Sequence, residues 1–163
     1  NSEFGKPGKV EHKEGVFVGY RYYESKDAEV SYPFGYGLSY TRFAFSDGRV
    51  LSETEEQLLV SVTIENIGAM EGKEKVQVYA AFTDSRTPTP RCQLCGLASV
   101  SLAAGEKTTV AIPVHKYWLR AVLEDGSRTD ADGRLVLTIG GHQPDERSRT
   151  LCEDNLITLV IKE

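Results

Sequence analysis

The sequence predicts an all-β sandwich, residues 40–163, behind an N-terminal segment, residues 1–39, of a different kind. Three observations carry that expectation. From Leu58 onward the apolar residues alternate with polar ones at the two-residue period of half-buried strands. The alternating runs are short and evenly spaced, with turn chemistry between them. No stretch carries a sustained 3.6-residue period.

The expected strands follow in order. A first one covers 41–45. In the second, 58–65, Val60, Val62 and Ile64 point one way and Ser61, Thr63 and Glu65 the other. The turn-rich NIGAMEG over 66–72 leads to a third, 76–82, where Val76, Val78, Ala80 and Phe82 repeat the pattern with Gln77 and Tyr79 opposite. It ends at TDSRTPTP, 83–90, whose two prolines cannot donate to a ladder. Further strands are expected at 97–102, at 108–114 after the turn AGEK, at 118–123, at 134–139 and at 156–161. The connections EDGS (124–127) and DADG (130–133) suit tight turns between antiparallel strands. Seven or eight such strands describe a sandwich of immunoglobulin or fibronectin type.

The first forty residues read otherwise. EGVFVGYRYYE over 14–24 is strongly aromatic, and YPFGYGLSYT over 32–41 holds three tyrosines, a phenylalanine, two glycines and a proline without an acid, base or metal ligand. Six of the eight tyrosines (Tyr20, Tyr22, Tyr23, Tyr32, Tyr36 and Tyr40) fall here, a density that solvated tails do not carry, so they require something to bury against. Gly35 and Gly37 suit tight backbone geometry, and Pro33 holds Tyr32 extended, giving a rigid aromatic loop. A sugar-stacking platform is the sharper reading. An interdomain plug is preferred, because sugar sites add carboxylates or amides for the hydroxyls and this loop has none.

Composition narrows the function classes. Hydrophobic content of 40% and charged content of 26% are ordinary globular usage. No apolar run approaches the roughly 20 residues of a membrane span, so no membrane partner is expected. The net charge is −5 with scattered Lys and Arg, which argues against nucleic acid. Residues 1–20 carry no apolar core of the kind a secretory signal needs. Three cysteines, an odd number, make no disulfide framework and suggest a reducing compartment, weakly favouring the cytoplasm.

Candidate chemistry is sparse. Asp84 with Glu106, or Asp130 with Asp132, form carboxylate couples on paper, but acids in hydrophilic turns are expected to be solvated with ordinary pKa values. Cys92 and Cys95, three apart on a strand, face opposite sides, and no second pair completes a zinc site, so buried thiols are expected there and at Cys152. His12, His115 and His142 are isolated and near turns, suited to solvent-facing or capping roles. Trp118 is expected in the core. No catalytic residue, metal site or cofactor is assigned.

The order EGVFVGYRYY, then YPFGYGLSYTRF, then the sandwich resembles the C-terminal part of glycoside hydrolase family 3 enzymes of the β-glucosidase group. NSEFGKPGKV over 1–10 is similar to the loop preceding that signature, and VSVTIENIG, GKEKVQVY, LCGL and LAAGEKTTVAIPV are similar to the fibronectin type III-like domain of such enzymes. The resemblance implies a larger enzyme: a barrel supplying an aspartate nucleophile, an α/β sandwich supplying a glutamate acid/base, and the fibronectin-like domain, hydrolysing β-glucosides with retention. Residues 1–39 become the last portion of the α/β sandwich and a linker. Neither catalytic motif is present, so Glu14 and Glu24 inherit no catalytic role, and the cysteines stand where the family usually carries charges. Phe17, Tyr20, Tyr22, Tyr23, Tyr32, Phe34, Tyr36 and Tyr40 are the expected docking residues. The implied partner is the remainder of the same glycosidase, with a homo-oligomer left open and carbohydrate met only through the whole enzyme. A carbohydrate-binding or protein-interaction sandwich is the alternative.

Overall fold

The computed structural model describes residues 13–152 and 155–161. The stretch 1–10 and His12 lie outside them. Seven strands build two packed sheets. One sheet holds β1 (Phe43–Glu53), β2 (Gln57–Asn66) and β5 (Lys107–His115) in the order β1-β2-β5. The other holds β3 (Gly72–Thr83), β4 (Gln93–Leu102), β8 (Arg134–Gly140) and β9 (Ile157–Val160) in the order β4-β3-β8-β9. All pairings are antiparallel. A small hairpin, β6 (Ala121–Val122) with β7 (Arg128–Thr129), stands apart from both sheets.

The alternation read from the sequence is what fills the space between the sheets. Val60, Val62 and Ile64 of β2 meet Val76 and Val78 of β3, Leu137 and Ile139 of β8, and Val114 of β5, every one of them with 0% of its surface exposed. Each such side chain contributes about 1.5–3 kcal/mol by leaving water. The opposite face of β2 departs from the expected half-burial. Ser61 and Thr63 are buried too, because β2 is the middle strand, and Thr63 shares a 3.0 Å hydroxyl–hydroxyl hydrogen bond with Thr109 of β5.

Three further elements differ from the sequence reading. Residues 118–123 do not form a strand: Lys116–Leu119 make a single 3-10 turn, and Ala121–Val122 pair only with β7. Trp118 is therefore not a core residue. It is 50% exposed, edge-to-face with Tyr117, and the Arg128 guanidinium lies over both rings. Two six-residue helices, α1 (Tyr20–Ser25) and α2 (Glu146–Leu151), are too short to print a period on the sequence. The N-terminal segment is thus extended only in part. No helix among the described residues is long and apolar enough to cross a membrane.

Polar side chains pin the turns. Asn66, fully buried, uses its whole hydrogen-bonding capacity: its amide nitrogen donates to Met70 O (2.7 Å) and Leu102 O (3.0 Å), and its carbonyl oxygen accepts from Thr41 Oγ1 (2.5 Å) and Gly68 N (3.1 Å). One residue joins the chain entering β1, the β2–β3 turn and the end of β4. Asn66→Ala strands two buried partners, Thr41 Oγ1 and Leu102 O, at about 1–3 kcal/mol each before relaxation, besides the partly exposed Gly68 N and Met70 O. We expect it to lower stability by at least about 3 kcal/mol, read as a drop in the urea midpoint with unchanged slope.

Candidate domain-docking site

The outer face of the four-stranded sheet is not left to water. On β3, Gln77 and Tyr79 point away from the inter-sheet core, yet they are 5% and 1% exposed. The Tyr79 hydroxyl donates to Gln77 Oε1 (2.6 Å), and Gln77 Nε2 donates to the Gly141 carbonyl (2.7 Å). Burial drives the Tyr79 phenol far above its usual range, so it stays a neutral donor.

The cover is the N-terminal segment. From α1, the Tyr20 ring stands edge-on to Tyr79 (6.2 Å between centroids) and stacks on Phe34 (5.1 Å), while its hydroxyl accepts the Leu94 N–H of β4 (2.8 Å). The aromatic loop closes over the same spot through a turn, Tyr36 N–H to Pro33 O at 3.2 Å, with Pro33 buried. Gly35 sits at φ +88°, where a Cβ would stand 2.8 Å from the Gln77 amide and 3.0 Å from His142 Cα. Only glycine lets the loop backbone come this close. Next to it, the Gln143 N–H donates to Phe34 O (3.1 Å), and the Arg91 guanidinium forks onto both oxygens of Asp27, tying the end of α1 to the start of β4.

The eight expected docking residues therefore divide. Tyr20, Tyr23, Tyr32 and Phe34 line one open cleft of about 730 Å3, together with Glu24, Arg91, Asp145 and Arg147. Tyr36 stacks on Tyr32 (5.2 Å) beside it. Tyr22 and Tyr23 form an edge-to-face pair, and Phe17 is half-buried, its N–H bonded to Glu14 O. Tyr32, Tyr40 and Leu38 are 69%, 93% and 94% exposed, so the burial expected of the tyrosines is not completed inside this chain. The alternation signal marked Gln77 and Tyr79 as solvent-side and gave no sign of His142, Gln143 or Asp145. His142, expected in a solvent-facing or capping role near a turn, is buried. Its Nδ1 donates to Gln143 O (2.9 Å), and its Nε2, like Gln143 Oε1, is a buried polar atom without a partner.

The site's electrostatics come from crowding. Burial raises the Glu24 carboxyl above its ordinary value. The Asp145 carboxylate adds to the shift and the Arg91 cation opposes it. Asp145 caps α2, accepting from Ser148 N (2.7 Å) and Ser148 Oγ (2.8 Å). Cys92 lies beside Glu24 and Asp145, whereas Cys95 packs on the core with its thiol on Val78 O. Burial pushes both thiols up to about 12, leaving them protonated and unreactive near neutrality.

Three of the four acids in the carboxylate couples make structural contacts. Asp132, expected to titrate normally, instead accepts hydrogen bonds from the backbone of Arg86 and Thr87 and from the side chains of Ser85, Arg86 and Thr87, which holds it far below the usual range. Asp130 accepts from Arg120, and Glu106 accepts Ala103 N–H in its turn. Among the described residues no three His, Cys, Asp or Glu side chains converge as metal ligands.

A sandwich whose outer sheet face is roofed by an aromatic segment is a composite module. Residues 74–143 match the fibronectin type III-like domain family. Thermostable beta-glucosidase B of Acetivibrio thermocellus is 44% identical over 115 residues, 69% of this chain and 15% of that protein. An exo-alpha-(1->6)-L-arabinopyranosidase of Bifidobacterium longum is 38% identical over 118 residues, 70% of this chain and 16% of that protein. The crystal structure of the Bifidobacterium adolescentis GH3 beta-glucosidase superposes with a TM-score of 0.80 at 29% identity, covering 98% of this chain and 23% of that one. The chain is thereby identified as the fibronectin type III-like portion, with its preceding segment, of glycoside hydrolase family 3 enzymes. It spans roughly a sixth to a quarter of these relatives' length.

Glu24 sets a pH dependence. Its native pKa lies above the unfolded one, so the native state binds the extra proton, and stability falls as pH rises from the ordinary glutamate value of 4.5 through the raised one. Glu24→Gln is expected to flatten the urea midpoint over that window and to be no less stable than the parent at neutral pH.

Proposed function

We propose that this chain is the non-catalytic C-terminal portion of a family 3 β-glucosidase, a fibronectin type III-like sandwich that stabilises and positions catalytic domains through residues 1–39. The observation that carries this reading is a two-sided aromatic segment. On one side Tyr20 stands on Tyr79, with Phe34 stacked on Tyr20 and half exposed, while Tyr23, Tyr32, Leu38 and Tyr40 face outward. Apolar surface of this kind, rimmed by the Arg91–Asp27 pair and Arg147, has the character of an interface rather than of a finished exterior. Orphaned buried atoms at His142, Gln143 and Ser25 support the same view.

In this reading the glycosidic bond is cleaved elsewhere in the whole enzyme, by two carboxylates acting through a covalent glycosyl intermediate. Asp125, Asp132, Asp145 and Glu106 are committed to caps and turns. The substrate class is β-glucosides, from the relatives' names, with arabinopyranosides the variant that the Bifidobacterium longum relative introduces. A second reading, a carbohydrate-binding sandwich, draws on the exposed Tyr117 and Trp118. Their rings meet at 80°, however, and do not offer the coplanar row that sugar faces stack on.

The chain freed of other polypeptides is expected to leave aryl glucosides untouched, to bind a hydrophobic dye and to self-associate on gel filtration. Replacing Tyr32, Leu38 and Tyr40 together by serine should abolish dye binding and association without lowering the melting temperature. Turnover by the isolated chain, or a dye-negative monomer of the parent sequence, overturns the proposal.

A further inference from the structure

A second cavity, of about 230 Å3, lies where the N-terminal segment meets the chain before β4 and the 3-10 turn after β5. Arg21, Arg120 and Arg128 all line it, and no Asp or Glu does, on a chain whose net charge is −5. Their charges are unequally satisfied. Arg120 Nε donates to Asp130 (3.0 Å), which stands outside the lining. The Arg128 guanidinium is fixed 4.5 Å from the Tyr117 ring centroid and 5.8 Å from that of Trp118, an arrangement that consumes none of its N–H donors. The Arg21 Nε is buried without an acceptor. A buried donor on a cation is among the costliest groups to leave unmatched, and neighbouring guanidinium groups call for an anion between them.

The remaining walls identify which anion. Phe82, Leu119 and Val122 face the cavity beside Trp118, so a fully hydrated ion such as phosphate gives up its water to apolar surface, and a neutral sugar leaves the cations uncompensated. The cavity is smaller than the roughly 300–1,000 Å3 of drug-sized sites, which suits one ring or one side chain and not an oligosaccharide. We infer that this cavity is a binding site for a carboxylate carried on an apolar or aromatic body, held by the Arg21 and Arg128 forks and packed against Trp118. Two sources supply that chemistry, a free aromatic acid or an Asp or Glu side chain of a peptide. The inference is independent of the docking reading, since it concerns a different cavity and is read on this chain alone.

The test is titration of the 15N-labelled chain at constant ionic strength with sodium benzoate, N-acetyl-Phe-Glu-amide, inorganic phosphate and glucose, following the arginine Nε–Hε resonances. Saturable shifts at Arg21 and Arg128 with benzoate or the peptide are expected, and the probe that saturates at the lower concentration names the source. Arg128→Gln, and separately Arg21→Lys, which keeps the charge but removes the guanidinium fork, should each weaken binding about tenfold. Arg149→Gln on α2 should leave it unchanged. Shifts that stay linear for every probe, phosphate or glucose binding as well as the carboxylates, or full binding in both variants would overturn the assignment.

Discussion

A sheet that carries a large aromatic ring on its outer face must be covered there as well as on its inner one, and that constraint organises this molecule. The inner face of β4-β3-β8-β9 is covered by the other sheet, as in any sandwich. The outer face carries Tyr79, whose large ring leaves water only if something else supplies a roof. Tyr20, Phe34 and the tight approach at Gly35 are that roof, and the Gln77–Gly141 and Gln143–Phe34 hydrogen bonds satisfy the polar groups trapped beneath it. The segment that precedes the sandwich is therefore part of its packing.

An aromatic segment held on its inner side at four or five points presents its outer side in a fixed orientation, which is what a docking element between two folded bodies needs. The same region shelters Glu24 and Asp145 close together, with Arg91 as the nearby counter-charge. Acids elsewhere in the chain hold loops in place. Asp132 gathers the Ser85–Thr87 loop, and Asp125 caps its own hairpin through Ser127.

Much of the sandwich was legible because strands advertise themselves with a period of two: Val60, Val62 and Ile64, or Val76 and Val78, leave no other face to bury. What was illegible is tertiary. The run YWLRAVL over 117–123 has the β-branched and aromatic character of a strand, yet Tyr117 and Trp118 spend their rings on Arg128 rather than on a sheet. Tyr79 alternates correctly onto the side away from the core, and nothing local says that this side is buried. Its only clue is a tyrosine where a strand's outer face usually carries Thr, Lys or Ser. Asn66 reads as an ordinary turn residue, and its fourfold hydrogen bonding exists only once Thr41, Met70 and Leu102 have been brought around it. The aromatic density of residues 20–40 was visible at once, whereas its division into an inward and an outward set was not.

The central claim, that the aromatic segment and the outer sheet face form one cooperative unit, is tested most directly by a double-mutant cycle between Tyr20→Ala and Tyr79→Ala in urea unfolding. The account predicts a single transition and a coupling energy of at least about 0.5 kcal/mol. Strictly additive effects, or a separate early transition for residues 13–39, would contradict it.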